Sequence, residues 1–473
     1  MKNLFRTKPI DHIAGRGLKP VLGATDLVLM GIGAIIGAGV FVLTGIGAAD
    51  HAGPALVLSF MIAGTACAFA ALSYAELATT IGGCGSAYGY GYAALGEIVG
   101  WLIGWILLLE YGMAVSTVAV GWSGYVNNAL LAVGHGLPEQ YLKPFTEQGG
   151  LLNLPATLII LLLTGLLASG AYVSAKFNAA MVAVKLAALF LFIAIALFHV
   201  DPANWSPFIP ERLVDAEGHA KYGMLGVVEG AAVIFFAYIG FDAVSTAAEE
   251  TKNPQRNVPI GIIGSLVVCT LLYIVVSLLL TGVVPYTELG VASPVADALL
   301  RIGQQWGSAA VAAGAIAGLT TVMLVMFFGL TRVLLAMCRD GLLPRQFAVL
   351  GEHSKSPVRI ILVSGVLLAT AAGLLPIESL AKLVNMGTLA AFTVVCLGVI
   401  WLRKHRPELP RPFKTPLSPL FPTLGALSCV YLMLNLPLTT WIAFATWSLI
   451  GLVVYAAYSY RHSHLTDAAA SAG

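Results

Sequence analysis

Twelve long apolar runs follow one another along this chain, and they constrain its fold more than any other feature. A helix needs about 20 apolar residues to cross the hydrocarbon core of a bilayer, and helices satisfy their own backbone hydrogen bonds in lipid. We therefore predict an all-α membrane protein with twelve transmembrane helices. Spans one to twelve, in order, cover about 26–48, 54–78, 96–125, 153–173, 176–199, 224–248, 258–284, 307–335, 358–376, 380–402, 418–436 and 440–460.

Composition agrees with this fold and excludes several classes of protein. Only 10% of the 473 residues are charged, whereas a soluble globular protein has about a quarter. The net charge of +2 is small and spread over loops, so nucleic acid is not an expected partner. The six cysteines show no CxxC or Cys/His spacing, and we expect no disulfide framework and no metal site. The polar, basic N-terminus does not resemble a cleaved signal peptide.

The distribution of basic residues predicts the orientation in the membrane. If the N-terminus is cytoplasmic, 19 of the 25 lysines and arginines fall in cytoplasmic segments and five in outer ones, and Lys185 lies inside span five. Because basic loops mark the cytoplasmic side, both termini are predicted there, in the inner (plasma) membrane. The chain then divides into a cytoplasmic segment 1–25, a twelve-span domain 26–460 and a cytoplasmic tail 461–473.

Two spans contain glycine-rich sequence that does not favour an unbroken helix. Span one reads GIGAIIGAGVF from Gly31, and span six reads FFAYIGFD from Phe235. These spans begin two five-span halves, about 26–199 and 224–402, and an odd number of spans places the halves in opposite orientation. Paired broken helices in inverted repeats point to a transporter's site near the midplane. The alternative is that such glycines only allow close packing, which we also expect of Gly96, Gly100 and Gly104 in span three.

Three of the ionisable residues inside spans stand out, because a charge deep in a span costs several kcal/mol and suggests a function. Lys185 is about 13 Å down span five from Lys176 at 1.5 Å per residue; it is either a proton carrier or a structural lysine bonded to backbone carbonyls. Glu110 in span three is a second proton site or a helix-packing group. Asp242 either caps the helix that resumes after the span-six break or acts directly.

The two breaks offer opposite hydrogen-bonding groups to a ligand. Unwinding span one frees N–H groups around Gly37, Ala38 and Gly39, and a helix N-terminus attracts a carboxylate. Unwinding span six frees carbonyls around Phe236, Ala237 and Ile239, which accept hydrogen bonds from an ammonium group. Donors on one side and acceptors on the other suit a zwitterion.

Six motifs in order give the chain a resemblance to a known family. They are IGAGVF from Ile36, LLEY from Leu108, FFAYIGFDAVSTAAEE from Phe235, TR at Thr331 with RDGLLP from Arg339, NMGT from Asn385 and RPELPRP from Arg406. Across about residues 20–460 the chain resembles the amino acid–polyamine–organocation (APC) superfamily, and within it bacterial relatives of the cationic amino acid transporters.

The resemblance implies a five-plus-five inverted-repeat fold with substrate between spans one, three, six and eight. It places Ile36 with Gly37, Ala38 and Gly39 at the substrate. It also implies that Lys185 takes the place of the sodium of sodium-coupled cousins, near Thr320 and Thr321 of span eight. Met326 aligns with a smaller residue in relatives that accept arginine and lysine, which predicts a small substrate side chain.

We therefore expect a proton-coupled symporter of small neutral L-amino acids that uses alternating access. The proton gradient is its energy source, and no cofactor is expected; membrane lipid and the amino acid are the expected partners. Nothing in the sequence predicts or excludes a small membrane subunit or a specific lipid contact. The alternatives are a cationic amino acid carrier or an exchanger on the same fold and, from other classes, a nutrient sensor, a channel or an intramembrane enzyme. The last three are disfavoured: the sequence shows no filter loops for a channel, no sizeable soluble domain for a sensor, and no Ser/His or Asp/Asp set within spans for an enzyme.

Overall fold

The structure is helical through most of the chain that it describes. The computed structural model describes residues 6–7, 22–81, 86–132, 134–170, 175–214, 220–247, 251–351 and 356–463, so most of the two predicted cytoplasmic ends lies outside it. Eight helices in this part are long and apolar enough to cross a membrane, and four shorter helices are also apolar. A helical membrane fold is confirmed; twelve spans and an inverted repeat stay predictions.

The helices follow the predicted spans, whose names we keep for them. In chain order they are Ala24–Ile35 with Gly39–Leu43, Thr44–Ile46 and Gly47–Ala52 for span one; Leu56–Thr80, Glu97–Ala132, Leu154–Ala168 and Ala175–Ala196 for spans two to five; Gly223–Ile234, Phe235–Tyr238 and Ala243–Thr246 for span six; Pro254–Val283, Gln305–Arg339, Val358–Leu374, Ile377–His405 and Leu420–Leu434 for spans seven to eleven; and Leu438–Val454, Tyr455–Ser459 and Tyr460–His462 for span twelve.

Shorter elements connect these helices. Helix Ser86–Ala94 precedes span three and helix Pro294–Arg301 precedes span eight, and single 3-10 turns occur at Gly53–Ala55, Glu139–Tyr141, Pro202–Trp205, Tyr286–Glu288 and Arg345–Phe347. A two-stranded antiparallel hairpin pairs Leu213–Val214 with Ala220–Lys221 before span six, with Leu213 opposite Lys221.

The longest of the eight apolar helical stretches joins the second half of span one to span two. It runs over Gly39–Thr80, and Gly53 interrupts it with a φ of +61°, which glycine adopts without the cost that a Cβ would bring. Pro54 follows and starts the next helix. The outer half of span one and the whole of span two therefore meet at a turn, as two predicted spans should.

Close helix packing explains the glycine series of span three. A Cβ on Gly100 would lie 2.8 Å from the Cα of Tyr92, and one on Gly104 would lie 2.9 Å from the ring of Tyr88. Both tyrosines belong to the short helix Ser86–Ala94, so these glycines let that helix approach span three. Gly96 precedes span three with a φ of +102°. The packing interpretation is confirmed for Gly100 and Gly104.

Candidate functional site

Span one is broken between Ile35 and Gly39. Helix Ala24–Ile35 ends with Ile36 in an extended conformation, at a φ of −73° and a ψ of 105°, and helical turns resume at Gly39. Within the described part of the chain, the N–H groups of Gly37 and Ala38 donate no backbone hydrogen bond outside a helix. The break therefore presents donors at the start of the second half-helix of span one, where the helix dipole favours an anion.

Span six is broken over the residues that the sequence indicated. Its 3-10 turn Phe235–Tyr238 ends at Ile239, whose N–H donates to the carbonyl of Phe236 at 3.2 Å. Gly240 then adopts a φ of +116°. A Cβ there would lie 2.8 Å from the carbonyl oxygen of Ala34, so only glycine lets this break approach span one so closely.

The two breaks touch each other at Gly39. A Cβ added to Gly39 would lie 2.3 Å from the Cα of Ala237 in span six. Gly39 is therefore a packing glycine between the two broken helices. Gly37 has more room, since a Cβ there would reach the side chain of Val322 in span eight only at 3.4 Å.

A small cavity lies against both breaks. Of the eight predicted substrate residues, Gly37, Ala38, Phe236, Ile239 and Met326 line it, whereas Ile36, Gly39 and Ala237 are adjacent to those residues and do not. The sequence did not indicate the other lining residues, which are Ala34 and Ile35 in span one, Ala114 and Val118 in span three, and Val322 in span eight. Every lining side chain is apolar, so polar recognition here depends on the backbone.

Tyr273 of span seven joins the two breaks and was not predicted. Its buried hydroxyl lies 3.0 Å from the carbonyl oxygen of Ile35 and 2.9 Å from that of Ala237. A hydroxyl has one proton, so it donates to one carbonyl at a time and leaves the other to accept from another donor. The sequence signal is weak: a single tyrosine in an aliphatic span, where a buried phenol usually needs a partner.

Lys185 meets the inner side of the span-one break. Its side chain is completely buried, and its ammonium donates to the carbonyls of Gly33 and, at 2.8 Å, of Ile36. Gly318 of span eight makes room for it, because a Cβ there would lie 3.0 Å from the Cβ of Lys185. The lysine is bonded to backbone carbonyls, as one alternative stated, and these carbonyls flank the break.

The two threonines of span eight bond elsewhere. Thr320 donates to the carbonyl of Ile316 and accepts from the indole of Trp122 at 3.0 Å. Thr321 donates to the carbonyl of Gly318 at 2.8 Å. Among the hydrogen bonds of the described residues, none joins Lys185 to either threonine. Gly318 lies between them: it packs against the side chain of Lys185, and its carbonyl accepts the hydrogen bond from Thr321.

Glu110 is buried in span three, one turn before the cavity-lining Ala114. Its side chain is 1% exposed, and neither carboxyl oxygen has a hydrogen-bond partner among the described residues. Its Cβ would lie 3.7 Å from a Cβ on Gly387 of span ten. An acid in such surroundings is stable only when it is neutral or when a partner approaches.

Asp242 does not cap the helix that follows it. Helix Ala243–Thr246 has Asp242 at its N-cap position, but the side chain makes no capping hydrogen bond. Instead it accepts a hydrogen bond from the hydroxyl of Tyr111 in span three at 3.0 Å. The capping interpretation is therefore wrong, and the carboxylate connects the inner part of span six to span three.

No group of three or more metal-ligating residues occurs among the described residues. The five cysteines described, Cys67, Cys269, Cys338, Cys396 and Cys429, are buried free thiols, and Cys84 lies outside the described residues. The site thus consists of backbone donors and acceptors, an apolar cavity, one buried lysine and two buried acids.

Comparison with known proteins adds a family and named relatives. Residues 22–458 match the amino acid permease family. The chain is similar to a methylthioribose transporter of Bacillus subtilis, strain 168, at 46% identity over 98% of this chain and 100% of that protein. It is 48% identical to the branched-chain amino acid permease BcaP of the same strain, over 98% of this chain and 99% of the permease.

A plant relative covers less of the molecule. The chain is 36% identical to a vacuolar cationic amino acid transporter 4 of Arabidopsis thaliana, over 86% of this chain and 68% of that protein. All three relatives carry names of transporters or permeases.

Proposed function

This chain belongs to the amino acid permease family, and we propose that it is a proton-coupled symporter that takes up small neutral L-amino acids by alternating access. Family membership makes it an integral membrane transporter rather than an enzyme. The observation that carries the proposal is the meeting of three features at one broken segment: free backbone donors, an apolar cavity and a buried lysine.

A twelve-span, five-plus-five inverted repeat is the fold that we propose for it. The helix contacts support this, because a contact between two spans has a matching contact between the corresponding spans of the other half, where spans one to five correspond to spans six to ten. Span three packs on span ten as span eight packs on span five, and span one packs on span seven as span six packs on span two. Spans two, three and four each also pack on their own counterparts, seven, eight and nine. We place the protein in the inner membrane with both termini cytoplasmic.

The substrate in this proposal is a zwitterion with an apolar side chain. Its carboxylate would meet the N–H groups of Gly37 and Ala38, and its ammonium the carbonyls of the span-six break. No lining side chain is acidic, so a cationic side chain would be buried there without a counter-charge. This argues against the cationic carrier alternative.

Branched-chain neutral amino acids are a second candidate substrate class. Ala114, Val118, Val322 and Met326 give the cavity an aliphatic wall, which suits a branched side chain as well as a methyl group. The 48% identical relative is named as a branched-chain amino acid permease. The size of the side chain that fits separates this candidate from alanine-like substrates.

Proton coupling in this proposal uses Lys185, with Glu110 as a second proton site. The ammonium of Lys185 holds the carbonyls of Gly33 and Ile36, and a neutral amine would hold them less strongly. Loss of the proton would therefore loosen the inner half of span one from span five. Thr320 and Thr321 lie one turn or less from Gly318, which packs beside this lysine. We propose that in another conformational state their hydroxyls hydrogen-bond to the Lys185 side chain.

Uptake into proteoliposomes tests the proposal. A labelled panel of alanine, glycine, valine, leucine and arginine is offered with and without an inwardly directed pH gradient. We expect concentrative uptake of the small neutral members that a protonophore abolishes. Uptake that is the same with and without the pH gradient would contradict symport and favour exchange. Uptake of arginine alone would contradict the neutral substrate class.

A further inference from the structure

At the outer ends of spans one and six, the two half-helices are fastened into one unit. The N–H of Tyr222 donates to the carbonyl of His51 at 2.9 Å, and the hydroxyl of Tyr222 donates to the carbonyl of Ala49 at 2.5 Å. Lys221 and Asp50 form an ion pair at 2.5 Å. A Cβ on Gly226 would lie 2.3 Å from the His51 carbonyl oxygen, so the two backbones are in direct contact and should move together.

An ion pair connects this outer unit to span ten. The Nε2 of His51 lies 3.5 Å from the Oε1 of Glu378, in the first turn of span ten. Lys382, one turn further on, lies 2.5 Å from the same oxygen, and its charge favours the ionised carboxylate. The His51 side chain is 14% exposed, although both of its ring nitrogens are buried while this contact is closed.

The contact between His51 and Glu378 depends on the charge of the imidazole. At 3.5 Å it is longer than an ordinary hydrogen bond, and neither ring nitrogen has a hydrogen-bond partner among the described residues. A neutral ring therefore gains little from Glu378, whereas an imidazolium is attracted to the carboxylate. Histidine is the side chain whose charge changes between about pH 5 and 8.

Other charged and titratable groups lie around His51 and could also act on its charge. Asp50 and Lys221 neutralise each other, and Glu288 is paired with Arg301. Other titratable groups on the elements around the end of span one are Tyr222, Tyr286, Glu229, Glu378 and Lys382. Tyr74 and Glu76 belong to span two as well, but they lie in its last two turns, far along the helix from this end.

We propose that His51 and Glu378 form a pH-sensitive latch on the outer side of the transporter. Protonation of His51 from the outer solution fastens the joined ends of spans one and six to span ten and closes the route to the cavity. Loss of that proton releases them. This rests on the proposed alternating access, and it adds a control by outer pH that is separate from the coupling proton at Lys185.

The test measures access to the cavity from outside rather than transport. In intact cells, Ala114→Cys places a thiol in the cavity, and a membrane-impermeant thiol reagent is added at pH about 5.5 or about 8, at the two ends of the range in which histidine changes charge. The chain that keeps Ala114 gives the background labelling. Thiol reactivity itself rises with pH, so variants are compared with one another at the same pH.

At the acidic pH, we expect His51→Gln to be labelled roughly threefold to fivefold faster than the Ala114→Cys chain alone, since a partly exposed ion pair contributes little more than this. Glu378→Gln should give the same acceleration. At the alkaline pH the rates should agree. His199→Gln is the matched control and should change nothing. His199 is an exposed histidine that pairs with no carboxylate among the described residues, and the predicted topology also puts it on the outer side.

Equal labelling of the Ala114→Cys chain with and without His51→Gln at the acidic pH would overturn the latch. An equal acceleration at both pH values would also overturn it, because it would indicate a packing role for the imidazole. Alanine uptake, measured in the chain without the cysteine, separates the two proposals. If alanine is not taken up but labelling still shows the pH-dependent latch, the proposed substrate is wrong and the latch is supported.

Discussion

At the scale of the residue, Lys185 and Met326 carry the most specific expectations. Lys185 combines complete burial with two carbonyl partners at the edge of the span-one break, and burial of an ammonium is expensive unless such partners compensate. Met326 forms part of the cavity wall, whereas Met323, three residues earlier on the same helix, is buried without lining it. For each of the two residues, the chain also offers a residue of the same type outside the site, which serves as a control for mutation.

Lys185→Ala should abolish accumulation driven by the pH gradient, because no other lysine reaches the span-one carbonyls in the described structure. Substrate exchange without a gradient should persist. The measurement is alanine uptake with and without the gradient, with Lys143→Ala as control, since Lys143 is an exposed loop lysine paired with Glu139. Gradient-driven uptake at the wild-type level would remove the lysine from the mechanism.

Met326→Ser should enlarge the cavity and admit larger amino acids, including arginine, while alanine uptake falls only modestly. Methionine fills volume and offers a cationic head group no strong acceptor, and serine removes that volume. Competition against labelled alanine measures the range of substrates. Met323→Ser is the control; it should lower the melting temperature, because it loses buried apolar area, but keep the wild-type range. A range that Met326→Ser leaves unchanged would mean that Met326 does not select substrates.

At the scale of the element, the site depends on two broken helices held against each other. Gly39 and Ala237 bring the breaks into contact, Gly240 approaches Ala34, and Tyr273 hydrogen-bonds carbonyls on both sides. From sequence, Gly39 was expected to approach the substrate carboxylate. In the structure it lies against span six, so a side chain there would disturb the packing of the elements before it met a ligand.

A pair of single-methyl substitutions separates these roles. Gly37→Ala should leave thermal stability nearly unchanged, since its Cβ meets Val322 at an ordinary 3.4 Å, but weaken alanine binding at least tenfold, or about 1.4 kcal/mol. Gly39→Ala should destabilise the protein by about 1–3 kcal/mol because its Cβ would overlap Ala237. Melting temperature and equilibrium binding measure the two effects. Unchanged binding by Gly37→Ala would place the carboxylate elsewhere.

At the scale of the whole molecule, two polar clusters lie at ends of the spans, and the predicted orientation assigns them to opposite sides of the membrane. His51, Tyr222 and Glu378 lie together, and the predicted topology puts all three on the outer side. Glu76 of span two accepts hydrogen bonds from Arg403 at 2.8 and 2.6 Å and from the N–H of Thr415 at 2.8 Å, and all three lie on the predicted cytoplasmic side.

Labelling of surface cysteines tests the orientation. Glu147 and Lys404 are both exposed, and the predicted topology separates them by seven spans, which places them on opposite sides. In intact cells an impermeant reagent should label Glu147→Cys, and it should label Lys404→Cys only after permeabilisation. The reverse pattern would invert the topology. Labelling of both from outside would contradict the odd number of spans between them.

The sequence by itself determined the class of fold, the two breaks and the family. Length and apolarity of a run decide whether a helix can cross a bilayer, and glycine-rich motifs mark where a helix cannot continue, so both are local properties. The resemblance to the APC superfamily is confirmed by the family match, and five of the eight predicted substrate residues line the cavity.

Only the tertiary structure decided which straight helices complete the site and which polar groups meet. Spans three, seven and eight are mostly apolar on every face, because lipid and protein interior are equally apolar, and their few polar residues do not show which face turns inward. Val118 and Tyr273 were therefore not recognised as site residues, and the sequence left Asp242 open between a helix cap and a direct role. The contact between His51 and Glu378 joins residues 327 positions apart. Such pairings arise from the crossing of helices distant in sequence, which no local pattern encodes.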